Sequence, residues 1–240
     1  MQSHHIVSAY DEELKFLTRK IAAMGGHAER MVDQSIAALV SSDIALAQKV
    51  IGDDALLDEG QREIDDKAIL IIAKRQPVAG DLREIIGAIR ISADLERVGD
   101  LGKNVAKRVV AVAEGRHPVS LFRGLQALAE LALTQLKEVL DVYASRSVER
   151  IAFMRDRDDQ IDAMYTSLFR ELLTYMMEDP RNITPCTHLL FCAKNIERIG
   201  DHATNIAEAI YYIVTGEQMP ADRPKEDKSH RVTLVKAAGK

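Results

Sequence analysis

The feature of this sequence that most constrains its fold is an internal repeat. Residues 94–106 align with residues 195–207 at an offset of 101, with six of thirteen positions identical, and the aliphatic changes replace valine or leucine with isoleucine. Upstream, residues 54–58 align with residues 158–162 at an offset of 104. A similarity of this kind indicates one structural unit that occurs twice, and the fold must bury the apolar face of both copies.

Helix is the predicted secondary structure of both copies. Apolar residues recur at intervals of three and four between the prolines, which is typical of amphipathic helices. Aromatic residues make up only 5% of the chain and tryptophan is absent, which disfavours a β-sandwich or barrel. We expect Asp43 and Ser147 as N-caps and Gly216 just after a helix C-terminus. The six predicted helices span approximately 8–40, 44–75, 81–114, 119–144, 148–179 and 185–215.

Long helices joined by short loops form antiparallel bundles. The sequence therefore predicts an all-α protein made of two tandem three-helix bundles, six long antiparallel helices related by the repeat. Residues 1–115 are predicted to form the first repeat and residues 116–216 the second. Residues 217–240 are polar, with two prolines and mixed charge, and are predicted to be a flexible basic tail.

Charge and composition limit the kinds of partner that this chain is expected to bind. From residue 219 onward the tail has six basic and three acidic residues, a net +3, so the rest of the chain carries −8 within the total of −5. An acidic body repels phosphates, so we expect no nucleic-acid binding, and it suits cations or basic partner surfaces. No apolar run reaches the ~18 residues of a membrane span, and the N-terminus does not resemble a secretory signal. We therefore expect a cytoplasmic protein.

Acidic pairs spaced four residues apart occur in both copies. Such a pair repels itself on a helix, and two pairs on adjacent helices would bring four carboxylates together, which is stable only with a neutralising cation. All-oxygen ligands suit magnesium, manganese, calcium or iron, whereas zinc usually recruits histidine or cysteine. The alternative is a solvated helix face, on which Arg97 pairs with the acids. The candidate metal ligands are Asp54, Asp58, Glu96, Asp100, Asp158, Asp162, Glu197 and Asp201.

A helical wheel separates these acids from the core. Glu96, Asp100 and Asn104 lie roughly opposite the apolar stripe, so we expect each acidic patch on an open face. The predicted core stripe comprises Leu95, Val98, Gly102, Val105 and Val109, matched by Ile196, Ile199, Ala203, Ile206 and Ile210. No nucleotide-binding, metalloprotease or serine-hydrolase motif occurs, so an enzyme is disfavoured.

The repeated motif resembles that of the PhoU family of phosphate-homeostasis regulators. The resemblance is carried by Asp94-Leu-Glu-Arg-Val-Gly-Asp100 and Asn195-Ile-Glu-Arg-Ile-Gly-Asp201, by Tyr10-Asp-Glu-Glu-Leu14 near the start, and by Pro77-Val-Ala-Gly-Asp-Leu-Arg83. It extends over roughly residues 4–215. One departure is that Asp94 becomes Asn195 in the second copy, so the two patches are expected to differ in charge.

The resemblance implies a cytoplasmic negative regulator of the phosphate-starvation response and a modulator of phosphate uptake. Its implied partners are the ATPase of a phosphate ABC transporter and a membrane-bound sensor histidine kinase, so any membrane association is indirect. It also implies multinuclear iron or zinc on the acidic pairs, without making that metal obligatory. We further expect a homodimer, since bundles with long apolar stripes often dimerise.

Two functions remain open on this evidence. The first is a non-catalytic adaptor whose acidic faces dock on basic partner surfaces. The alternative is a metal-dependent phosphohydrolase working from the carboxylate patches, since paired metals can activate water for phosphoryl transfer. A regulator of a different phosphate carrier would lie between the two, because partner choice depends on surface detail.

Overall fold

The computed structural model describes the backbone of residues 2–112 and 119–219, and their side chains apart from residues 2–8, 119–121 and 152–156. The predicted repeat junction near Gly115 and the tail beyond residue 219 lie outside these residues. Within them the chain forms helices and no strand. The α-helices are α1 (Gln2–Ser41), α2 (Ile44–Asp53), α3 (Ala55–Arg75), α4 (Ala79–Val112), α5 (Val119–Ser145), α6 (Ala152–Glu178) and α7 (Ile183–Thr215).

The second predicted helix is divided at Asp54. The helical pattern is interrupted there between α2 and α3, although the Asp54 backbone stays in the right-handed helical region (φ −56°, ψ −38°). No proline marks this point in the sequence, so the periodicity runs through it. The interruption therefore falls on one of the candidate metal ligands.

Of the three helix-end residues predicted from the sequence, two are confirmed and one is wrong. The Asp43 carboxylate accepts a hydrogen bond from the Leu46 N–H (2.9 Å), which confirms it as the N-cap of α2. Gly216 adopts φ 78° and its N–H donates to the Tyr212 carbonyl (3.0 Å), which confirms the end of α7. The N-cap prediction for Ser147 is wrong, because its hydroxyl donates to the Glu149 carboxylate and a 3₁₀ turn (Val148–Ile151) precedes α6.

The architecture is two helical units packed through their last helices. Helices α1 to α4 form the first unit and α5 to α7 the second, and α4 makes its most extensive contacts with α7. The two helices run antiparallel, since Arg90 in α4 lies over the Tyr212 ring and Arg108 over the Phe191 ring. This confirms the predicted all-α two-repeat bundle.

The predicted core stripes are confirmed in both units, since all ten stripe residues are buried. Gly102 makes the first apolar stripe narrow at one position, because glycine has no side chain. A Cβ atom there would lie 3.4 Å from the Val32 backbone nitrogen, so α1 and α4 approach closely at this point. Within the part of the chain that the structure describes, no helix is both long and apolar enough to cross a bilayer.

Candidate functional site

The first patch comprises Asp54, Asp58, Glu96 and Asp100. Asp54 lies at the break between α2 and α3, Asp58 in the first turn of α3, and the other two acids on α4. Burial raises the pKa of Glu96, and the negative charges of Asp100, Asp58 and Asp54 raise it further, against the opposing charge of Arg97. The four predicted carboxylates of this repeat therefore lie close enough together to repel one another.

Lys103 lies inside this patch and neutralises part of it. Its Nζ lies 2.5 Å from both Asp54 Oδ2 and Asp100 Oδ1. Burial alone would lower the pKa of Lys103, but the two carboxylates outweigh it and raise that pKa well above its usual range. Burial likewise opposes ionisation of Asp100, yet Lys103 and Arg97 together hold its pKa below the ordinary value. A side-chain ammonium thus occupies the position that was predicted for a bound cation.

The second patch comprises Asp158, Asp162, Glu197 and Asp201. Its position equivalent to Lys103 is Thr204, whose hydroxyl donates to Asp158 Oδ1 (3.0 Å). The amide of Gln135 in turn donates to the Thr204 hydroxyl (2.8 Å). Lys194, whose equivalent in the first repeat is Ala93, donates from its Nζ to Glu197 Oε1 (2.7 Å). At the position of Lys103 the second patch therefore has a neutral hydroxyl, and its lysine ammonium, that of Lys194, contacts a different acid, Glu197.

The expectation that each patch lies on an open face is wrong for the second patch. Asp158, Asp162 and Glu197 are only 4%, 6% and 4% exposed. The helical wheel placed Glu197 opposite the core, but α7 is a central helix that contacts α4, α5 and α6, so its second face is also covered. Arg97 does form the expected surface pairs, at 3.2 Å from Asp100 and 3.5 Å from Glu96.

The two patches differ in how well they fit a metal ion. Among the side chains that the structure describes, no three His, Cys, Asp or Glu residues converge closely enough to hold one as they stand. In the first patch a metal would have to displace Lys103 from both of its carboxylates. In the second patch the residue equivalent to Lys103 is the neutral Thr204, and the Lys194 ammonium contacts Glu197. Metal binding at the eight carboxylates, and the identity of the metal, remain predictions.

Asp94 lies outside the patches. The Nδ1 of His202 donates to Asp94 Oδ1 (2.8 Å), and the amide of Asn205 donates to the same oxygen (3.3 Å). Asp94 therefore joins α4 to α7. The change from Asp94 to Asn195 accordingly alters the interface between the repeats rather than either patch.

Sequence reasoning missed Lys103 and Thr204. The signal was present, because Lys103 follows Asp100 by three residues, a spacing at which helical side chains meet. The equivalent position in the second repeat holds the neutral Thr204, although the motif around it is otherwise similar. The partner Asp54 could not be found in this way, since it approaches from another helix.

This fold and site define a class, the tandem three-helix repeat proteins that carry a carboxylate patch in each repeat. The model of the PhoU domain matches residues 21–109 and, a second time, residues 125–210. The chain therefore belongs to the PhoU family.

Full-length relatives agree with this assignment. The chain is 72% identical to the "Phosphate-specific transport system accessory protein PhoU homolog" of Rhizobium meliloti (strain 1021), over 98% of this chain and 99% of the relative. It is 48% identical to the protein of the same name from Caulobacter vibrioides (strain NA1000 / CB15N), over 94% and 98%. The crystal structure of PhoU from Pseudomonas aeruginosa superposes with a TM-score of 0.81 at 36% identity, covering 87% of this chain and all of that one.

Proposed function

We propose that this chain is a non-catalytic regulator of phosphate homeostasis, an accessory protein of a phosphate-specific transport system. It acts in the cytoplasm as a negative regulator of the phosphate-starvation response, and it links the ATPase of the phosphate ABC transporter to a sensor histidine kinase. The observation that carries the proposal is the 72% identity, over nearly the full length of both chains, to a relative named as such an accessory protein.

The regulatory role has a direct genetic test. Deletion of the gene, followed by growth in phosphate-rich medium, should leave secreted or periplasmic phosphatase activity high. A brake on the starvation response predicts this, because its loss releases the kinase although phosphate is plentiful. Phosphatase activity that stays as low as in the parent strain would contradict the proposal.

The acidic patches supply the proposed docking surfaces. Asp58 and Asp100 retain 40% and 27% of their side-chain exposure, so the rim of the first patch reaches solvent. Outside the basic tail the chain carries a net −8, which attracts a basic partner surface and accelerates association.

Partner capture tests the docking surface. Purified transporter ATPase or the cytoplasmic domain of the kinase should be retained by the wild-type chain, and Asp100→Lys with Asp201→Lys should weaken retention about tenfold or more. Glu171→Lys reverses a single carboxylate on the exposed side of α6, away from both patches, and should leave capture unchanged, whereas Asp100→Lys alone, with the same charge change, should weaken it. Undiminished capture by the double variant would contradict the proposal that the acidic patches are the docking surfaces.

Catalysis is not required by this arrangement. Asp54 and Asp100 are held by Lys103, so in the first patch they are committed to an ion pair rather than to a metal-bound water. Metal-stimulated turnover of a phosphoester that is lost in Glu96→Ala would contradict the non-catalytic proposal and favour a phosphohydrolase.

We propose that a multivalent cation, when present, binds at the acidic patches. Iron, zinc, magnesium and manganese are the candidates, and the carboxylate oxygens of the patches would hold it. The double change Asp58→Asn with Asp162→Asn, which removes one acid from each patch, should then lower the metal content of the purified chain, measured by mass spectrometry of the elements. Metal content that stays at the wild-type level would contradict metal binding at the patches.

We also propose that the chain forms a homodimer. Several apolar side chains near the C-terminal end of α3 are exposed, among them Ile69 (64%) and Val78 (74%). Sedimentation of the purified chain should give the mass of a dimer, and Ile69→Lys should shift it toward monomer. A wild-type chain that sediments as a monomer at micromolar concentration would refute the proposal.

A further inference from the structure

Two clefts lie along the contact between α4 and α7, and the internal repeat relates them to each other. The neutral cleft, of about 570 Å³, is lined mainly by Arg90, Asp94, Arg97, Asn205, Glu208 and Tyr212. The basic cleft, of about 330 Å³, is lined by Asn104, Lys107, Arg108, Ala111, Phe191 and Asn195. Each residue lining the basic cleft lies 101 positions from a residue of the neutral cleft, so the two are the same feature of the fold seen in each repeat.

The charges of the two clefts differ sharply. In the neutral cleft two arginines are balanced by Asp94 and Glu208. In the basic cleft the equivalent positions hold Asn195 and Lys107, and Arg108 adds a second positive charge. Among the side chains that the structure describes, which exclude residues 113–118 after α4, no carboxylate lines the basic cleft. The described side chains of the basic cleft therefore carry two positive charges, although the net charge of the chain is negative.

Arg108 is oriented by uncharged groups. Its guanidinium carbon lies 4.6 Å from the centre of the Phe191 ring, and its Nη1 donates to Nδ1 of His188 (3.3 Å). Both contacts position the planar guanidinium without neutralising it. In the neutral cleft, by contrast, Asp94 is engaged by His202 and Asn205. The basic cleft therefore keeps a fixed, charged donor facing a cavity.

The donors of this cleft match a phosphate group. A guanidinium fork, an ammonium and two side-chain amides offer donors from several directions, and a tetrahedral oxyanion presents acceptors in several directions. A carboxylate, with two coplanar oxygens, would satisfy fewer of them. We propose that the basic cleft binds a phosphate group, either free inorganic phosphate or the phosphoryl group of a small monoester.

Titration calorimetry with inorganic phosphate tests the site. The full-length chain is used with a chelator and without sulfate, so that a metal at the carboxylate patches cannot bind the anion. Saturable binding is expected, and Arg108→Gln and Lys107→Gln should each weaken it about tenfold or more, the usual cost of a lost charge-assisted hydrogen bond. Arg90→Gln, in the neutral cleft, is the matched control and should bind as the wild type does.

Two outcomes would overturn the proposal. One is the absence of saturable binding by the wild-type chain, and the other is unchanged affinity in the Lys107→Gln variant. Lys107 is exposed, so its variant folds even if Arg108→Gln loses helical circular dichroism. The double change Lys107→Glu with Asn195→Asp gives the basic cleft the acids of the neutral one and should abolish binding.

A second titration identifies the source of the phosphate group. Tighter binding of inorganic phosphate than of glycerol 3-phosphate supports the free anion, and the reverse order supports a monoester. If neither binds, the proposal fails. The assay uses the purified chain alone, so its outcome is independent of whether the chain captures a transporter or kinase domain.

Discussion

The two carboxylate patches have the same acids on the same helices, yet they balance those acids differently. In the first, the ammonium of Lys103 lies between Asp54 and Asp100. In the second, Thr204 and Gln135 form a neutral chain that ends on Asp158. Gln135 also differs between the repeats, because the equivalent position in the first repeat holds the apolar Met31. The pair of changes shows that a duplicated fold can keep equivalent acids while each copy gives them different partners.

The largest effect is expected from Lys103→Met. Removing the ammonium leaves two partly buried carboxylates facing each other, which should cost about 2 to 3 kcal/mol of the free energy of unfolding in urea, less than a fully buried pair because Lys103 is partly exposed. Lys137→Met is the matched control in the second repeat, since Lys137 makes an exposed pair with Glu29 and its loss should destabilise the chain far less. Equal losses in the two variants would contradict the role of Lys103.

The loss in Lys103→Met should depend on pH. The pKa of Asp100 is lowered in the folded state, so its stabilisation is present above its ordinary pKa of 3.8 and is lost as pH falls through the lower folded value. The difference between wild type and variant should therefore narrow below about pH 4. A difference that is constant from pH 7 to pH 3 would show that lost packing, rather than lost charge, explains the variant.

A smaller effect is expected from Thr204→Val in the second patch. The change keeps the shape but removes the hydroxyl between Gln135 and Asp158, and should cost about 1 kcal/mol. Adding Gln135→Met, which restores the residue type of the first repeat, should recover part of that loss, because both partners of one hydrogen bond are then gone. Strictly additive losses in a double-mutant cycle would argue against the neutral chain.

The smallest effect is expected from Glu96→Gln. Since burial and neighbouring acids raise the pKa of Glu96, its charged form is disfavoured in the folded state, and the variant should gain a few tenths of a kcal/mol at pH 7. For an acid with a raised folded pKa, wild-type stability rises as pH falls through that value, so the gain should vanish near the ordinary pKa of 4.5. A loss of stability at pH 7, measured by urea unfolding against the exposed control Glu59→Gln, would contradict the repulsion.

Much of the fold was predictable because the repeat and the apolar period describe local structure. The core stripe around Val98 and Ile199, the cap at Asp43 and the end of α7 at Gly216 follow from short-range rules. The break at Asp54 was missed because the apolar period runs through it without a proline, and the Asp54 carboxylate is engaged there by Lys103 of α4.

The residues of the candidate site were predictable from the sequence, but their burial and their hydrogen-bond and ion-pair partners were not. Spacing placed Glu96 and Asp100 together, whereas the burial of Glu197 and Asp158 depends on helices that pack on the second face of α7. The same limit explains Asp94, which the motif groups with the acids but which the antiparallel packing of α4 and α7 directs to His202. Contacts between distant segments decide which acids share a partner.

Metal content of Lys103→Met tests most directly whether a lysine takes the place of a cation in the first patch. The wild-type chain and the variant are dialysed against manganese and analysed by elemental mass spectrometry, with Lys137→Met as the control. The variant should hold more metal per chain than the wild type and the control, because Asp54 and Asp100 are released for an ion. Equal metal content in all three chains would contradict the view that Lys103 takes the place of a cation in the first patch.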